Sequence, residues 1–206
     1  MSIIQPRIYL ASQSPRRREL LKQIGINFEM LLLRSDPRRS FDVIETPLPG
    51  EHPEAYVQRI CQDKVRAGCN ALKSRNLRPF PVLAGDTTVT LDDNILNKPR
   101  DREDAAAMLR QLSGRQHLVL SAVAMALGER IETRVSATTV TFAALSEERI
   151  QRYLLTNEGH DKAGAYGIQG YAGAFVQCIE GSYSGVMGLP LFETVELLHA
   201  FGYPAL

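Results

Sequence analysis

Apolar residues in this chain fall into short blocks separated by longer stretches where they recur at three- and four-residue intervals. That pattern reads as strands alternating with amphipathic helices, an α/β class. Ile8-Tyr9-Leu10, Met30 to Leu33 and Val82-Leu83-Ala84 are compact apolar blocks expected as buried strands. After Pro53, the residues Tyr56, Val57, Ile60, Cys61, Val65, Cys69 and Leu72 keep to one helical face, with Lys64 beside the stripe. A second helix is expected behind an Asp101 cap, with Ala105, Met108, Leu109 and Leu112 as its face, Pro99 in the preceding turn and Gly114 past its end. Leu118 to Leu127 and Ile131 to Phe142 are apolar and β-branched, and Gly128-Glu129-Arg130 joins them as a hairpin. Ser146 can cap a helix carrying Ile150, Tyr153 and Leu154, and Leu191 to Phe201 predicts a last helix stopped by Gly202.

No repeat or linker interrupts the pattern, so residues 1–206 are expected to form a single domain. The exception to regular patterning is Asp36 to Pro53, where Pro37, Pro47, Pro49 and Gly50 suggest a long functional loop or lid. A 44% hydrophobic content with 23% charged residues is that of an ordinary globular protein. The net charge of +1, from dispersed basic residues, argues against a surface built for a nucleic-acid polymer. Three cysteines at unpaired spacings suggest reduced thiols in a cytoplasmic protein, and the longest apolar stretch is too short to span a bilayer.

The first chemically suggestive segment follows the first apolar block. Ser14 is a good N-cap and Pro15 suits the first helical position, so a helix should start there with Leu20, Leu21 and Ile24 inward. Its first turn then offers free backbone N–H groups to an anion. Ser12 adds a hydroxyl, and Arg16 and Arg17 are cations that sit badly at a helix start unless something negative lies beside them.

Asp86 is the strongest catalytic candidate, because it immediately follows an apolar strand and a glycine, where α/β proteins bind ligands. It could ligate a hard divalent cation or accept a proton from an attacking water. Glu45 offers a second carboxylate from the proline-rich loop, and Lys64, Lys98 and Lys162 could join Arg16 in a triphosphate groove. From Gly164 to Gly173 a glycine recurs every third residue, which suggests close backbone approach. Within that segment Gln169 could pair with a uracil or thymine edge, or with cytosine if its amide is turned. There is no P-loop and no His-Glu-x-x-His pair.

Together, Ser12 to Leu21, Ala84 to Val89 with Asn97-Lys98-Pro99, Leu112 to His117, and Asp161 to Gly170 leading to Gly188-Leu189-Pro190-Leu191 resemble the Maf family of nucleoside triphosphate pyrophosphatases. The resemblance covers nearly the whole chain. It implies a mixed twisted sheet flanked by helices, Maf/ITPase-like, with two lobes around an elongated cleft, usually in a homodimer. It also implies hydrolysis between the α- and β-phosphates with a divalent cation, magnesium or manganese, for which Asp86 and Glu45 are the candidate carboxylate ligands read from the residues. Asp86 matches the family's proton acceptor. Ser12, Ser14, Arg17, Glu45, Lys64, Lys98 and Lys162 match cleft positions, Glu45 more loosely. Arg16, Thr87 and Gln169 match the trio of the branch acting on dTTP and UTP. The competing expectation is a nucleotide-sensing interaction protein affecting cell division, using the same pocket.

Overall fold

The computed structural model describes residues 7–33 and 42–205. The start of the expected loop, residues 36–41, lies outside them. One seven-stranded sheet organises the described chain, in the order β2-β1-β3-β5-β6-β7 with β4 paired to β3. The strands are β1 (Ile8–Leu10), β2 (Phe28–Met30), β3 (Val82–Leu91), β4 (Asn94–Leu96), β5 (Gln116–Leu127), β6 (Arg130–Phe142) and β7 (Val176–Glu180). The β1–β2 and β1–β3 pairs are parallel, and every other pair is antiparallel.

The helices are α1 (Pro15–Gln23), α2 (Pro53–Ser74), α3 (Arg102–Leu112), α4 (Glu147–Leu154), α5 (Tyr183–Met187) and α6 (Leu191–Ala200). On one face of the sheet, Val57, Cys61 and Val65 of α2 pack on Val82, Ala84, Ala122 and Ala124. On the other, Leu20 and Leu21 of α1 and Leu197 and Leu198 of α6 cover Ile8, Leu10, Leu83, Val123 and Met125. The far half of β3 enters a third cluster, in which Val89 and Leu91 meet Leu109 and Leu112 of α3, Ile150 of α4, Phe142, Tyr166 and Phe175. A single long strand therefore ties the α1–α2 layers to the α3–α4 cluster.

Several elements form as their residues dictate. Asp101 and Ser146 accept backbone N–H bonds at the starts of α3 and α4. Leu127 pairs with Arg130, so the β5–β6 hairpin turns on Gly128-Glu129, with Gly128 at φ +63°.

Three expectations need correction. The second strand is Phe28–Met30 rather than Met30 to Leu33, because it pairs residue for residue with β1, which ends at Leu10 and leaves Leu32 and Leu33 without a ladder partner. The third strand does not stop at Ala84. It continues through Gly85, Asp86 and a β-branched run to Leu91, held by β5 from Val82↔Ala126 to Thr90↔Leu118. Asp86 is thus inside a strand, opposite Ala122, although it lies beyond the point where the parallel neighbour β1 has ended. Ser14 does occupy the N-cap position of α1, but its side chain makes no capping bond.

Candidate active site

Connections leaving β1 and β3 run to opposite sides, to β2 on one and, after β4 on the β1-side edge of β3, to β5 on the other. Open α/β sheets bind ligands at such a divergence, beyond the carboxyl ends of the strands. A cleft of about 1000 Å³ opens beyond the end of β1, beside the middle of β3. Ser12, Ser14, Arg16, Arg17, Glu45, Lys64, Asp86, Thr87, Lys98 and Lys162 all line it. Gln169 does not: it is exposed, and Ile168 takes the inward place at the cleft wall.

At the centre, the Lys64 ammonium lies 2.7 Å from Asp86 Oδ1 and 2.7 Å from Glu45 Oε1. Lys98 approaches the other Glu45 oxygen at 4.0 Å. Desolvation works against the Lys64 charge, but Asp86 and Glu45 outweigh it and hold its pKa above the ordinary lysine value. Lys64 is therefore a fixed cation and not a base. Burial tends to raise Glu45, yet Lys64, then Lys98 and Arg17, keep it below the ordinary carboxylate range. The loop bearing Glu45 is tied to α2. The Tyr56 hydroxyl is 3.2 Å from the Glu45 carbonyl, and Arg59 binds the Thr46 carbonyl at 3.1 Å and the Glu51 carboxylate through two bonds.

One cationic wall of the cleft is built from α1 and the turn before it. Ser12 Oγ accepts from the Ser14 N–H at 3.2 Å and from Arg17 Nη1 at 3.1 Å, which folds the turn that opens the helix. Arg17 Nε donates to the Gly188 carbonyl at 2.8 Å, and Arg16 Nε donates to the Met187 carbonyl at 3.2 Å. A Cβ on Gly85 would sit 2.9 Å from Arg17 Nε, so only glycine leaves room for that guanidinium against the sheet. Lys162 is held by the Asp161 carboxylate at 2.6 Å and by the Glu158 carbonyl. Five cations face three carboxylates across the cleft, counting Arg16, Arg17, Lys64, Lys98 and Lys162 against Glu45, Asp86 and Asp161. The excess suits a polyanion.

Beside these charges Val89, Val119, Tyr166, Ile168 and Val186 form an apolar end. The glycine-rich segment shapes it by close approach. A Cβ on Gly170 would meet the Glu158 carboxylate at 2.0 Å, and one on Gly164, where φ is +68°, would meet Val89 at 3.0 Å.

Neither carboxylate pair nor histidine gathers into a three-ligand metal group among the described residues. Asp86 and Glu45 are hard oxygen donors of the kind magnesium takes in ones and twos, with phosphate oxygens and water completing its shell. They fit such an ion as two donors of a partial site, and Lys64 lies between them. Sequence reasoning missed two contributors. Tyr56 was absorbed into the apolar stripe of α2, and Ser121, buried on β5 behind Thr87, sits in an apolar run with no outward signal. No helix among the described residues is long and apolar enough to cross a membrane.

A family model described as Maf-like protein matches residues 7–201. The chain is 55% identical to the dTTP/UTP pyrophosphatase of Aromatoleum aromaticum, over 99% of this chain and 100% of that one. It is 54% identical to the Nitrosomonas europaea protein of the same name, covering 95% and 94% of the two chains, and 50% identical to that of Dechloromonas aromatica, covering 96% and 98%. Among solved structures, the Staphylococcus aureus Ham1 protein aligns with a TM-score of 0.49 at 16% identity, over 95% of this chain and 97% of that one.

Proposed function

The chain belongs to the Maf-like protein family, and from that premise we propose that it hydrolyses dTTP and UTP to the nucleoside monophosphate and pyrophosphate. The observation that carries the reading is the Glu45–Lys64–Asp86 arrangement inside a cleft with surplus positive charge and an apolar end. The first turn of α1, with Arg16 and Arg17, binds phosphate oxygens. Lys98 and Lys162 take the departing pyrophosphate and stabilise the charge that develops on it.

Asp86 accepts the proton of the water that attacks the α-phosphorus. Lys64 occupies one of its oxygens and fixes the carboxylate plane, and the other oxygen is the one assigned to the water. Asp86 and Glu45 are the residues that would hold a divalent cation, magnesium or manganese, which when bound supplies neutralisation of phosphate charge. The apolar end takes the pyrimidine ring. Gln169, which matches the family's specificity trio, is exposed next to Ile168 of the cleft wall and is the side chain assigned to the ring edge.

Asp86→Asn is expected to fold, with a Tm lowered by the loss of a buried partner of Lys64, and to lose turnover by about 10²–10⁴-fold, the range for removing a general base. Chromatography of products from a nucleoside triphosphate panel with magnesium checks the whole reading. Monophosphate plus pyrophosphate is the expected outcome for dTTP and UTP, and release of orthophosphate would replace the reading with a phosphatase. Wild-type turnover in Asp86→Asn would remove Asp86 from the chemistry.

A further inference from the structure

Behind the cleft wall a short chain of hydroxyls has every proton direction settled by its two ends. The Gly185 carbonyl can only accept, so Ser121 Oγ, 2.6 Å away, must donate to it. Ser121 has a single proton. Across the 2.9 Å contact with Thr87, therefore, Thr87 is the donor. On the other side, a guanidinium can only donate, and Arg17 Nη2 lies 3.4 Å from Thr87 Oγ1. The Thr87 proton is thus committed inward, and what Thr87 has left for the cleft is a lone pair.

Its surroundings give that lone pair something to read. Thr87 and Val89 follow each other on one face of β3, and the cross-strand pairs Thr87↔Ser121 and Val89↔Val119 are neighbours in the ladder. Thr87 consequently stands at the border between the cationic half of the cleft and the apolar end formed by Val89, Val119 and Ile168. Ser121 itself is fully buried and does not line the cleft.

We propose that Ser121 is a positioning residue that makes Thr87 an acceptor-only reader of the base. A ring presenting an N–H, as uracil and thymine do at the edge where cytosine presents a bare nitrogen, finds a partner in Thr87. Cytosine at the same place sets two acceptors against each other, because the Thr87 proton cannot turn outward without abandoning Ser121. This inference rests on the dTTP/UTP reading above and supplies a cause for its base preference.

Calorimetric affinities for the α,β-imido analogues of UTP and CTP, with magnesium, test it without depending on turnover. In Ser121→Ala the Thr87 hydroxyl is free to rotate, and the UTP:CTP affinity ratio is expected to narrow about tenfold, mostly through tighter CTP binding, the scale of one net hydrogen bond. Thr87→Val should narrow the ratio through weaker UTP binding, which gives the test a second arm if Ser121→Ala does not fold. Adding Ser121→Ala to Thr87→Val should then change the ratio no further, and Ser121→Thr should restore it. A ratio that survives both single substitutions, or that Ser121→Ala narrows equally in the Thr87→Val background, overturns the role of Ser121. Equal affinity of the unaltered protein for both analogues removes the base preference itself, and this inference with it.

Discussion

Lys64 lies between two carboxylates that would otherwise face each other, and its removal separates two roles. Lys64→Met leaves Glu45 and Asp86 without the ammonium that sits 2.7 Å from each. Manganese affinity measured by electron paramagnetic resonance without nucleotide is expected to rise about tenfold or more, since paired carboxylates regain a cation by taking one up. Turnover should fall by about 10²-fold or more with the loss of a positioned charge. Unchanged manganese affinity would mean that the lysine does not compete for the carboxylates. At this scale the sequence was informative where a charge stood out. Asp86, Lys64, Lys98 and the arginines are conspicuous because charged side chains have few reasons to follow a buried strand or an apolar stripe. Tyr56 and Ser121 carry no such mark: one phenol on a helical stripe and one hydroxyl among Leu120, Ala122 and Val123 read as core. Gln169, conspicuous within the glycine-rich segment, is exposed beside Ile168 of the cleft wall.

At the level of elements, α2 and β3 meet closely at a glycine. Gly68 lies on the buried face of α2, where an added Cβ would come 2.7 Å from Val82 Cγ1. Helix propensity alone would have Gly68→Ala stabilise the protein by about 1 kcal/mol. Val82 is fully buried and β-branched, with little freedom to yield, so a net loss of about 1–3 kcal/mol is expected instead, read as a lowered urea midpoint. A raised midpoint would show that the interface has slack. Helices were legible because each carries its own period and punctuation, as at Asp101, Ser146 and Gly202. Strand ends were not, because they depend on partners distant in sequence. Gly85-Asp86 looks like a stop until β5 is there to pair with it, and Leu32-Leu33 looks like strand until β1 runs out.

Across the whole molecule, stability should depend on acid through a group outside the chemistry. His117 is buried in the aromatic cluster with Phe142 and Tyr166, its Nε2 2.9 Å from the Tyr166 hydroxyl and its Nδ1 without a partner among the described residues. Burial pushes its pKa down to about 4. The unfolded chain, with an ordinary imidazole near about 6.5, takes up a proton first as pH falls, so stability is complete above that value and drains away toward pH 4. The expected loss over that window is about 2–4 kcal/mol, from 1.36 kcal/mol per unit. Urea midpoints of His117→Leu should lack this component, and an equal acid loss in the variant would assign it to other groups.

The pleat of β3 has one more consequence. Asp86 and Thr87 are adjacent, yet Asp86 turns toward Lys64 on α2 whereas Thr87 turns toward Ser121, Arg17 and the end of α5. The side chain proposed to accept the proton and the one proposed to read the ring answer to different layers of the protein. Variation around Lys64 in the α2 layer can therefore alter speed while leaving choice untouched, and variation around Ser121 and the end of α5 can alter choice without disturbing the Lys64–Asp86 pair. The two properties are inherited on one strand but open to separate adjustment.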